Sequence, residues 1–300
     1  MDFSSLFGCV SSASCLVTQS ISGLTIGMLL FLVASGLSLI FGVLKITNFA
    51  HGSFYMLGAY FALTVYQLTN NYFLAVCGAA IGVGLFGVLF ERFLIRRIYG
   101  SNVLMQLLLS YAVILILDDV VMLVWGSEFQ AMGMPDLFRV PPFRIAGAYV
   151  PAFYVFLILA AFAIAGGLWF LIEKTRFGKV VRAAAHNGDM AAALGINTGL
   201  LYSVTLGLGG VLAGLAGGLA APVRSLVPGM GMSILIESFI VTVIGGMGSI
   251  VGAFVAAIVI GLTRSFGGIV MPEFTEGLMF LVMVIVLIVK PTGLFGKGRD

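Results

Sequence analysis

The stretch ISGLTIGMLLFLVASGLSLIFGV, residues 21–43, decides the fold of this protein. It carries no charged side chain. A helix needs roughly 20 apolar residues to cross the ~30 Å hydrocarbon core of a bilayer, and the apolar part of a signal peptide is much shorter. The stretch therefore predicts a membrane-spanning helix that stays in the protein as its first span.

The composition extends this prediction to the whole chain. Of 300 residues, 61% are hydrophobic, 9% are charged and 40 are glycine, whereas roughly 25% of an average globular chain is charged. These values exclude a disordered chain, a soluble enzyme with a polar surface and a nucleic-acid binder. We expect an all-α, polytopic transmembrane bundle of about 8–9 membrane segments, including short or broken helices.

Nine apolar segments lie between charged residues and turn signals. Their approximate bounds are 20–43, 50–67, 73–90, 103–125, 150–172, 200–221, 233–245, 250–266 and 274–290. The stretch 233–266 fits either one long kinked helix or two short helices parted by GGMGS at 245–249. A glycine-rich break at membrane depth is tolerated only beside protein or a water-filled cavity, so it points to a transport pathway.

The basic residues predict the orientation of the chain. With the N-terminus outside, eleven of the 15 Lys and Arg residues lie in inside connections. The four in outside connections are Arg139, Arg144, Arg224 and Arg264. The positive-inside rule favours this arrangement. Two helices within 233–266 also place the basic C-terminal tail inside, so we expect two spans there.

Residues suited to catalysis or metal binding are scarce. Cys9, Cys15 and Cys77 lack metal-ligand spacing and indicate neither a zinc site nor a disulfide framework. His51 and His186 are the two histidines, and the chain has no hydrolase, zinc-protease or phosphate-loop motif. We expect no enzyme activity, no metal site and no cofactor held by this chain.

The acidic residues Asp118 and Asp119 fall inside the fourth predicted membrane segment, and Glu237 falls inside the seventh. Charges at such positions are costly and usually mark function. Three interpretations stay open: acids that snorkel or pair, a gate or inter-subunit pair, and a site for a substrate ammonium group. The other candidates for the pathway or a gate are Asn48, His51, Gly245, Gly246 and Gly248.

The inside loop EKTRFGKVVRAAAHNGDMAAALGIN, residues 173–197, predicts two small helices. Its alanines favour helix. Asn187 and Gly188 can end a first helix that starts at Val180, Asp189 can cap a second, and Gly195 can end it. Helices with so little side-chain bulk suit docking into a groove on a partner; the alternative is a loop that rests on lipid headgroups.

Four motifs resemble those of bacterial branched-chain amino acid ABC-transporter permeases. NFAHG at 48–52 with FYMLGAY at 54–60 resembles the amino-terminal signature, and GGMGS at 245–249 and KPTGLFG at 290–296 resemble the late motifs. The loop resembles the ATPase-coupling segment of the family at Arg176, Gly178, Arg182, Ala183, Asp189, Ala192, Leu194, Gly195 and Ile196. The N-terminal extension with Cys9 and Cys15 matches no motif of the family.

The resemblance implies one transmembrane permease domain over residues 1–300, with 173–197 as its cytoplasmic ATPase-coupling loop. The chain would be the non-catalytic membrane subunit of an ATP-driven importer of leucine, isoleucine or valine in the bacterial inner membrane. Its N-terminus would be periplasmic and its C-terminus cytoplasmic. The implied partners are a second, homologous permease, two cytoplasmic subunits that bind ATP and Mg²⁺, a periplasmic substrate-binding protein and membrane lipid, but no nucleic acid.

Alternative functions remain open at this point. Permeases of the same class also import urea, amides or other amino acids. An ion-coupled secondary transporter would use the intramembrane carboxylates as proton sites and would need no ATPase. A membrane protein with a structural or assembly role and no transport role would not need a glycine-rich break at membrane depth.

Overall fold

The computed structural model describes residues 8–9 and 11–296, and it is an all-α membrane bundle. Each of the nine predicted segments contains a helix. Two additional short helices, α6 and α7, lie between the fifth and sixth segments. The helices are α1 Ala13–Leu44, α2 His51–Thr69, α3 Tyr72–Phe93, α4 Val103–Trp125, α5 Ala152–Lys174, α6 Arg176–His186, α7 Gly188–Ala193, α8 Thr198–Ala220, α9 Met230–Gly245, α10 Ile250–Val270 and α11 Thr275–Val289.

Small elements mark the two ends of the bundle. Strands β1 (Phe143–Ile145) and β2 (Ala148–Val150) pair as an antiparallel hairpin before α5. We call this side the hairpin end, and the side that carries α6 and α7 the short-helix end. Short 3₁₀ helices cover Ile95–Ile98, Asp136–Phe138 and Pro272–Phe274.

Among the described residues, seven helices are long and apolar enough to cross a membrane. The two other predicted spans differ for separate reasons. Helix α9 has 16 residues and is too short for a perpendicular span. Helix α2 has 19 residues but carries His51, Ser53 and several tyrosines, and most of its first two-thirds is buried in the bundle. The prediction of two helices within 233–266 is confirmed.

Glycine lets the central helices meet backbone to backbone. Helix α8 lies against α3, where a Cβ added to Gly210 would lie 2.7 Å from the Val83 carbonyl oxygen. It also lies against α2, where a Cβ on Gly58 would lie 2.6 Å from the Gly214 Cα. Dispersion and close fit replace the hydrophobic effect as the attraction between helices in lipid. These contacts therefore place α2 in the centre of the bundle.

Helix α2 begins deep inside the protein, although His51 stands at the start of the predicted membrane segment 50–67. The His51 Nε2 atom lies 3.1 Å from the carbonyl oxygen of Val33. Val33 precedes the end of α1 at Leu44 by eleven residues, or about 16 Å of helix. The chain thus leaves α1 and returns into the bundle before α2 starts. Helix α9 begins beside this point, with Gly231 packed against Gly52.

The GGMGS break lies at the short-helix end and not at membrane depth, which corrects the sequence-based expectation. Gly248 packs against Gly42, two residues before the end of α1. The C-terminal segment covers the break: Leu294 N–H donates to the Ile244 carbonyl (2.8 Å), and Phe295 N–H donates to that of Gly245 (3.1 Å). Helix α9 is short because its first residue starts inside the bundle, and its last lies at this rim.

Two further expectations are wrong at the hairpin end. Cys9 and Cys15 form a disulfide, although their sequence context indicated none, because the backbone brings their Cα atoms to 5.1 Å. Arg264 lies within α10 and not in a connection, because its guanidinium finds an acidic partner in α9. Ser14, next to the disulfide, approaches Gly147 of the hairpin.

The glycine contacts generate a stability prediction. Gly58→Ala should lower the stability of the detergent-solubilised protein by about 1–3 kcal/mol, because the new methyl group meets backbone that cannot move aside. The matched control is Gly166→Ala in α5, where an added Cβ meets no atom within 4 Å. Thermal unfolding should show a lower midpoint for Gly58→Ala alone. Equal midpoints would refute the close-packing account.

Candidate functional site

Buried polar atoms without a partner concentrate around the start of α2. In the described part of the chain, six buried side-chain atoms have no hydrogen-bond partner. We call the residues that carry them the polar track. They are Asn48 (Nδ2), His51 (Nδ1), Ser53 (Oγ), Tyr60 (OH), Asp118 (Oδ1) and Glu237 (Oε2). Native proteins keep few such atoms, so a cluster of them marks a place for water, an ion or a ligand.

Four of the six residues are pathway candidates from the sequence: Asn48, His51, Asp118 and Glu237. The structure places Asn48 and His51 at the start of α2, Asp118 of α4 beside Gly229, and Glu237 of α9 within electrostatic range of Tyr55 of α2. Sequence reasoning missed Ser53 and Tyr60, because serine and tyrosine in an apolar segment are ordinary residues until their burial is known.

Local geometry leaves His51 and Asn48 each with one free polar atom. The His51 Nε2 faces the Val33 carbonyl, which can only accept, so Nε2 donates and Nδ1 is left as an acceptor. Gly36 admits the ring, because a Cβ there would lie 2.9 Å from Nε2. The Asn48 Oδ1 accepts from the Ala50 N–H (3.1 Å) in the turn before α2, and Nδ2 stays free.

Asp118 faces the track from α4, whereas its neighbour Asp119 does not. Asp118 precedes Trp125 by seven residues, so both lie on one helix face. The Trp125 indole N–H donates to Thr64 Oγ1 of α2 (2.8 Å). The Asp118 carboxylate also lies next to Gly229, just before α9. Asp119 is exposed on the outer face of α4 and lies apart from the track.

Glu237 forms an ion pair with Arg264, across the contact of α9 with α10. The Glu237 side chain is 8% exposed and that of Arg264 is 31% exposed. One carboxylate oxygen contacts the guanidinium, and Oε2 has no partner. The pair lies within this chain, so the charge of Glu237 is balanced without a second subunit. An arginine inside the apolar run 250–266 was the overlooked signal.

A second buried acid is fully satisfied. Glu91 of α3 accepts from the Tyr99 hydroxyl (2.6 Å) and from the Ser203 hydroxyl of α8. Burial, and then the hydrogen bond to Glu91, raise the pKa of Tyr99 above its usual range. Both carboxylate oxygens have donors, so Glu91 joins α3 to α8 at the short-helix end and adds no free atom to the track.

The predicted pair of short helices is present, with two corrections. Helix α6 starts at Arg176 and not at Val180, because the Thr175 hydroxyl accepts from the Gly178 N–H (3.2 Å) and caps it. The cap of α7 is Asn187 and not Asp189, because the Asn187 side chain accepts from the Met190 N–H (3.0 Å). Asn187 can do this since it leaves the helical conformation one residue before α7. Gly195 ends the pair with a φ of 86°.

One face of this segment is anchored and the other is open. Val181 and Ala184 belong to the same buried apolar cluster as Leu39 and Val43 of α1. Arg182 pairs with Glu173 at 3.3 Å and also donates to the Ile172 carbonyl. Gly178 has no room for a side chain beside that carbonyl, and Ile196 is half-buried. The other predicted coupling residues are exposed: Arg176, Arg182, Ala183, Asp189, Ala192, Leu194 and Gly195.

The glycine-rich break and the short helices share a cavity of about 490 Å³. The predicted candidates therefore divide into two places. Gly245, Gly246 and Gly248 lie at the short-helix end with the coupling segment, whereas the polar track lies inside the bundle. The cavity is lined by residues of α1, α5, α6, the break and the C-terminal segment, among them Gly42, Trp169, Arg182, His186, Met247 and Phe295.

Comparison with known proteins identifies the family. The model of the family described as branched-chain amino acid transport system / permease component matches residues 20–287. The chain belongs to this family. Its members are non-catalytic subunits of ABC transport systems, so the chain is a multi-pass permease of the inner membrane and not an enzyme.

Relatives of this family cover nearly the whole chain. The permease BraD of Pseudomonas aeruginosa is 29% identical over 93% of this chain and 95% of its own length. LivH of Escherichia coli K12 is 28% identical with the same coverage, and a probable LivH of Methanocaldococcus jannaschii is 30% identical over 89% of both chains. All three are named as branched-chain amino acid transport permeases. No solved structure matches the chain.

The C-terminal segment 291–296, which hydrogen-bonds to the end of α9, generates a second prediction. Gly293 has a φ of 79°, and a Cβ there would lie 2.6 Å from the Gly246 backbone. Gly293→Ala should release the hydrogen bonds of Leu294 and Phe295, so that hydrogen exchange in 291–296 becomes faster. The control is Gly268→Ala in α10, where an added Cβ meets no atom within 4 Å. Unchanged hydrogen exchange in Gly293→Ala would show that the hydrogen bonds of Leu294 and Phe295 do not depend on this glycine.

Proposed function

We propose that this permease is the membrane subunit of an ATP-driven importer that carries leucine, isoleucine or valine across the inner membrane. The observation that carries the proposal is the polar track. Its six unpartnered buried polar atoms lie on or beside the central helix α2 of a chain that belongs to the permease family. The names of BraD and LivH support the class of substrate. On this proposal the track is the path of the substrate.

The segment 173–197 is the docking site for the ATP-binding subunits in this proposal. Its exposed residues form a surface on which Met190 and Leu194, the latter 76% exposed, offer apolar side chains. Its buried face packs on α1 near Leu39 and Val43. A push on α6 therefore acts directly on α1. ATP and Mg²⁺ would be held by the partner subunits alone.

The assembly follows from the class of importer. Residues 1–300 act as one transmembrane permease domain, and a second, homologous permease completes the path. Two cytoplasmic ATP-binding subunits and a periplasmic substrate-binding protein are the other partners. Asp119, exposed on α4 within a membrane-spanning helix, suits a position covered by the second permease, since charged groups rarely face lipid.

We place the N-terminus in the periplasm and the C-terminus in the cytoplasm. The excess of basic residues in the inside connections supports this orientation. The Cys9–Cys15 disulfide supports it independently, because disulfides persist in the oxidising periplasm and are rare in the cytosol.

The proposal is tested by purifying the tagged chain from its host in mild detergent and identifying its partners by mass spectrometry. A second permease and two ATP-binding subunits are expected. The complex in proteoliposomes, with its binding protein, should take up leucine, isoleucine or valine only with ATP. Uptake of urea or amides instead would show that the importer acts on a different substrate. Uptake by the chain alone, driven by an ion gradient, would replace the importer by a secondary transporter.

The Asn187 cap generates a prediction for coupling. Asn187→Ala removes the side-chain acceptor from the start of α7, at a cost of about 1 kcal/mol to that helix. We expect ATP hydrolysis to continue while substrate uptake per ATP falls. Asn102→Ala removes an equal cap from α4, where Asn102 accepts from the Met105 N–H (2.9 Å), and it should leave coupling intact. Equal coupling in both variants would favour a loop that rests on lipid.

The disulfide generates a prediction for orientation. In spheroplasts, a membrane-impermeant maleimide should label the chain at 9 and 15 only after an impermeant reductant has opened the disulfide. The Cys9→Ser/Cys15→Ser variant is the control and should lose this labelling. Labelling that requires disruption of the membrane would place the N-terminus in the cytoplasm.

A further inference from the structure

The Glu237–Arg264 ion pair is unusual for its position. It joins two helices of a membrane bundle in a chain that is only 9% charged. Taking two charges out of water is costly, and a buried pair often stabilises a protein no better than well-packed apolar residues would. Ionisable groups within membrane helices are therefore expected to act in function, with a defined partner. The partner here is defined, but Glu237 Oε2 remains free.

The surroundings of the pair suit a small molecule that carries both charges. Tyr55 of α2 lies within electrostatic range of both members of the pair and of Arg224. Arg264 is partly exposed, so the pair is open on one side. Next to Glu237, helix α9 presents an exposed apolar face formed by Met232 and Ile236. Ile236 directly precedes Glu237, so this apolar surface lies on the adjoining face of α9.

We propose that Glu237 and Arg264 are the transient binding site for the zwitterionic head group of the transported amino acid. The substrate carboxylate binds Arg264, and the substrate ammonium group binds Glu237 through the oxygen that is free here. The aliphatic side chain lies on the face of Met232 and Ile236. This inference rests on the proposed function and adds to it the residues that recognise the class of substrate.

Glu237 and Arg264 can exchange each other for the substrate, which explains how the site binds and releases the charged head group. When the substrate enters, the two protein groups separate and each takes the opposite charge of the zwitterion. When it leaves, they pair again, so neither charge is ever buried alone. The restored ion pair competes with the substrate, which keeps the site weak enough for release. An uncharged molecule such as urea cannot separate the pair in this way.

The test uses the complete importer in proteoliposomes. Single neutral variants leave one buried charge unpaired and can fail to fold. The decisive variant is therefore Glu237→Gln/Arg264→Gln, which removes both charges and keeps a polar side chain at each position. A matched control is Asp136→Asn/Arg139→Gln, which neutralises an exposed pair at 2.9 Å outside the long helices. Protein abundance, ATPase activity stimulated by the binding protein, and uptake against substrate concentration are measured for each.

We expect the double variant to keep its abundance and stimulated ATPase activity, while its uptake at low substrate falls about tenfold or more, as for a lost charged hydrogen bond. The control should transport like wild type. Uptake within twofold of wild type would overturn the inference and make the pair structural. If the double variant does not accumulate, Arg264→Lys tests the inference in its place. This variant keeps the positive charge but loses the planar guanidinium that can bind a carboxylate through two hydrogen bonds. Uptake by Arg264→Lys that is limited by a higher KM supports the site, and an unchanged KM overturns it.

Wild-type uptake separates the two levels of the proposal. If the wild-type complex imports none of the three amino acids, the proposed function is wrong and the head-group site falls with it. If wild type imports them and the charge-free variant does so equally well, the importer stands and only the head-group site is wrong.

Discussion

Direct contact between helix backbones is the constraint on which the rest of the structure depends. In lipid, apolar side chains gain nothing from leaving the solvent, so helices hold together by close fit. Gly58, Gly210 and Gly214 supply that fit where α2 and α3 meet α8. Because these contacts draw α2 into the centre, its polar residues are buried instead of facing an aqueous surface. The burial of the track residues that α2 carries is thus a consequence of how the glycines pack.

The central position of α2 also connects the two ends of the protein. At the short-helix end, α6 packs on α1 through Val181 and Ala184, and the cavity beside it reaches the break before α10. Further along α1, the Val33 carbonyl holds His51 at the start of α2. One helix therefore touches both the segment proposed to receive the ATPase and the first residues of the track. A movement of α1 has a physical route from one to the other.

Much of the bundle could be predicted from sequence, because hydropathy and length reflect the bilayer directly. The nine segments, the two short helices and the split of 233–266 are all present. Caps were less predictable: Asn187 and Asp189 are both suitable cap residues two positions apart, and only the backbone conformation at Asn187 selects it. The predicted depth of the GGMGS break was wrong, because composition does not reveal where a helix starts relative to its neighbours.

For the candidate site, the sequence alone determined which polar and charged residues lie in apolar segments, since such residues are conspicuous against a hydrophobic background. It singled out His51, Asp118 and Glu237 in this way, and Asn48 stands beside His51 in the NFAHG motif at 48–52. Only the tertiary structure decided that these four are buried with a free polar atom, that Asp119 is exposed, and that Glu237 meets Arg264. Partners 27 residues apart on different helices are chosen by helix packing, and packing depends on contacts among distant segments that no local pattern contains.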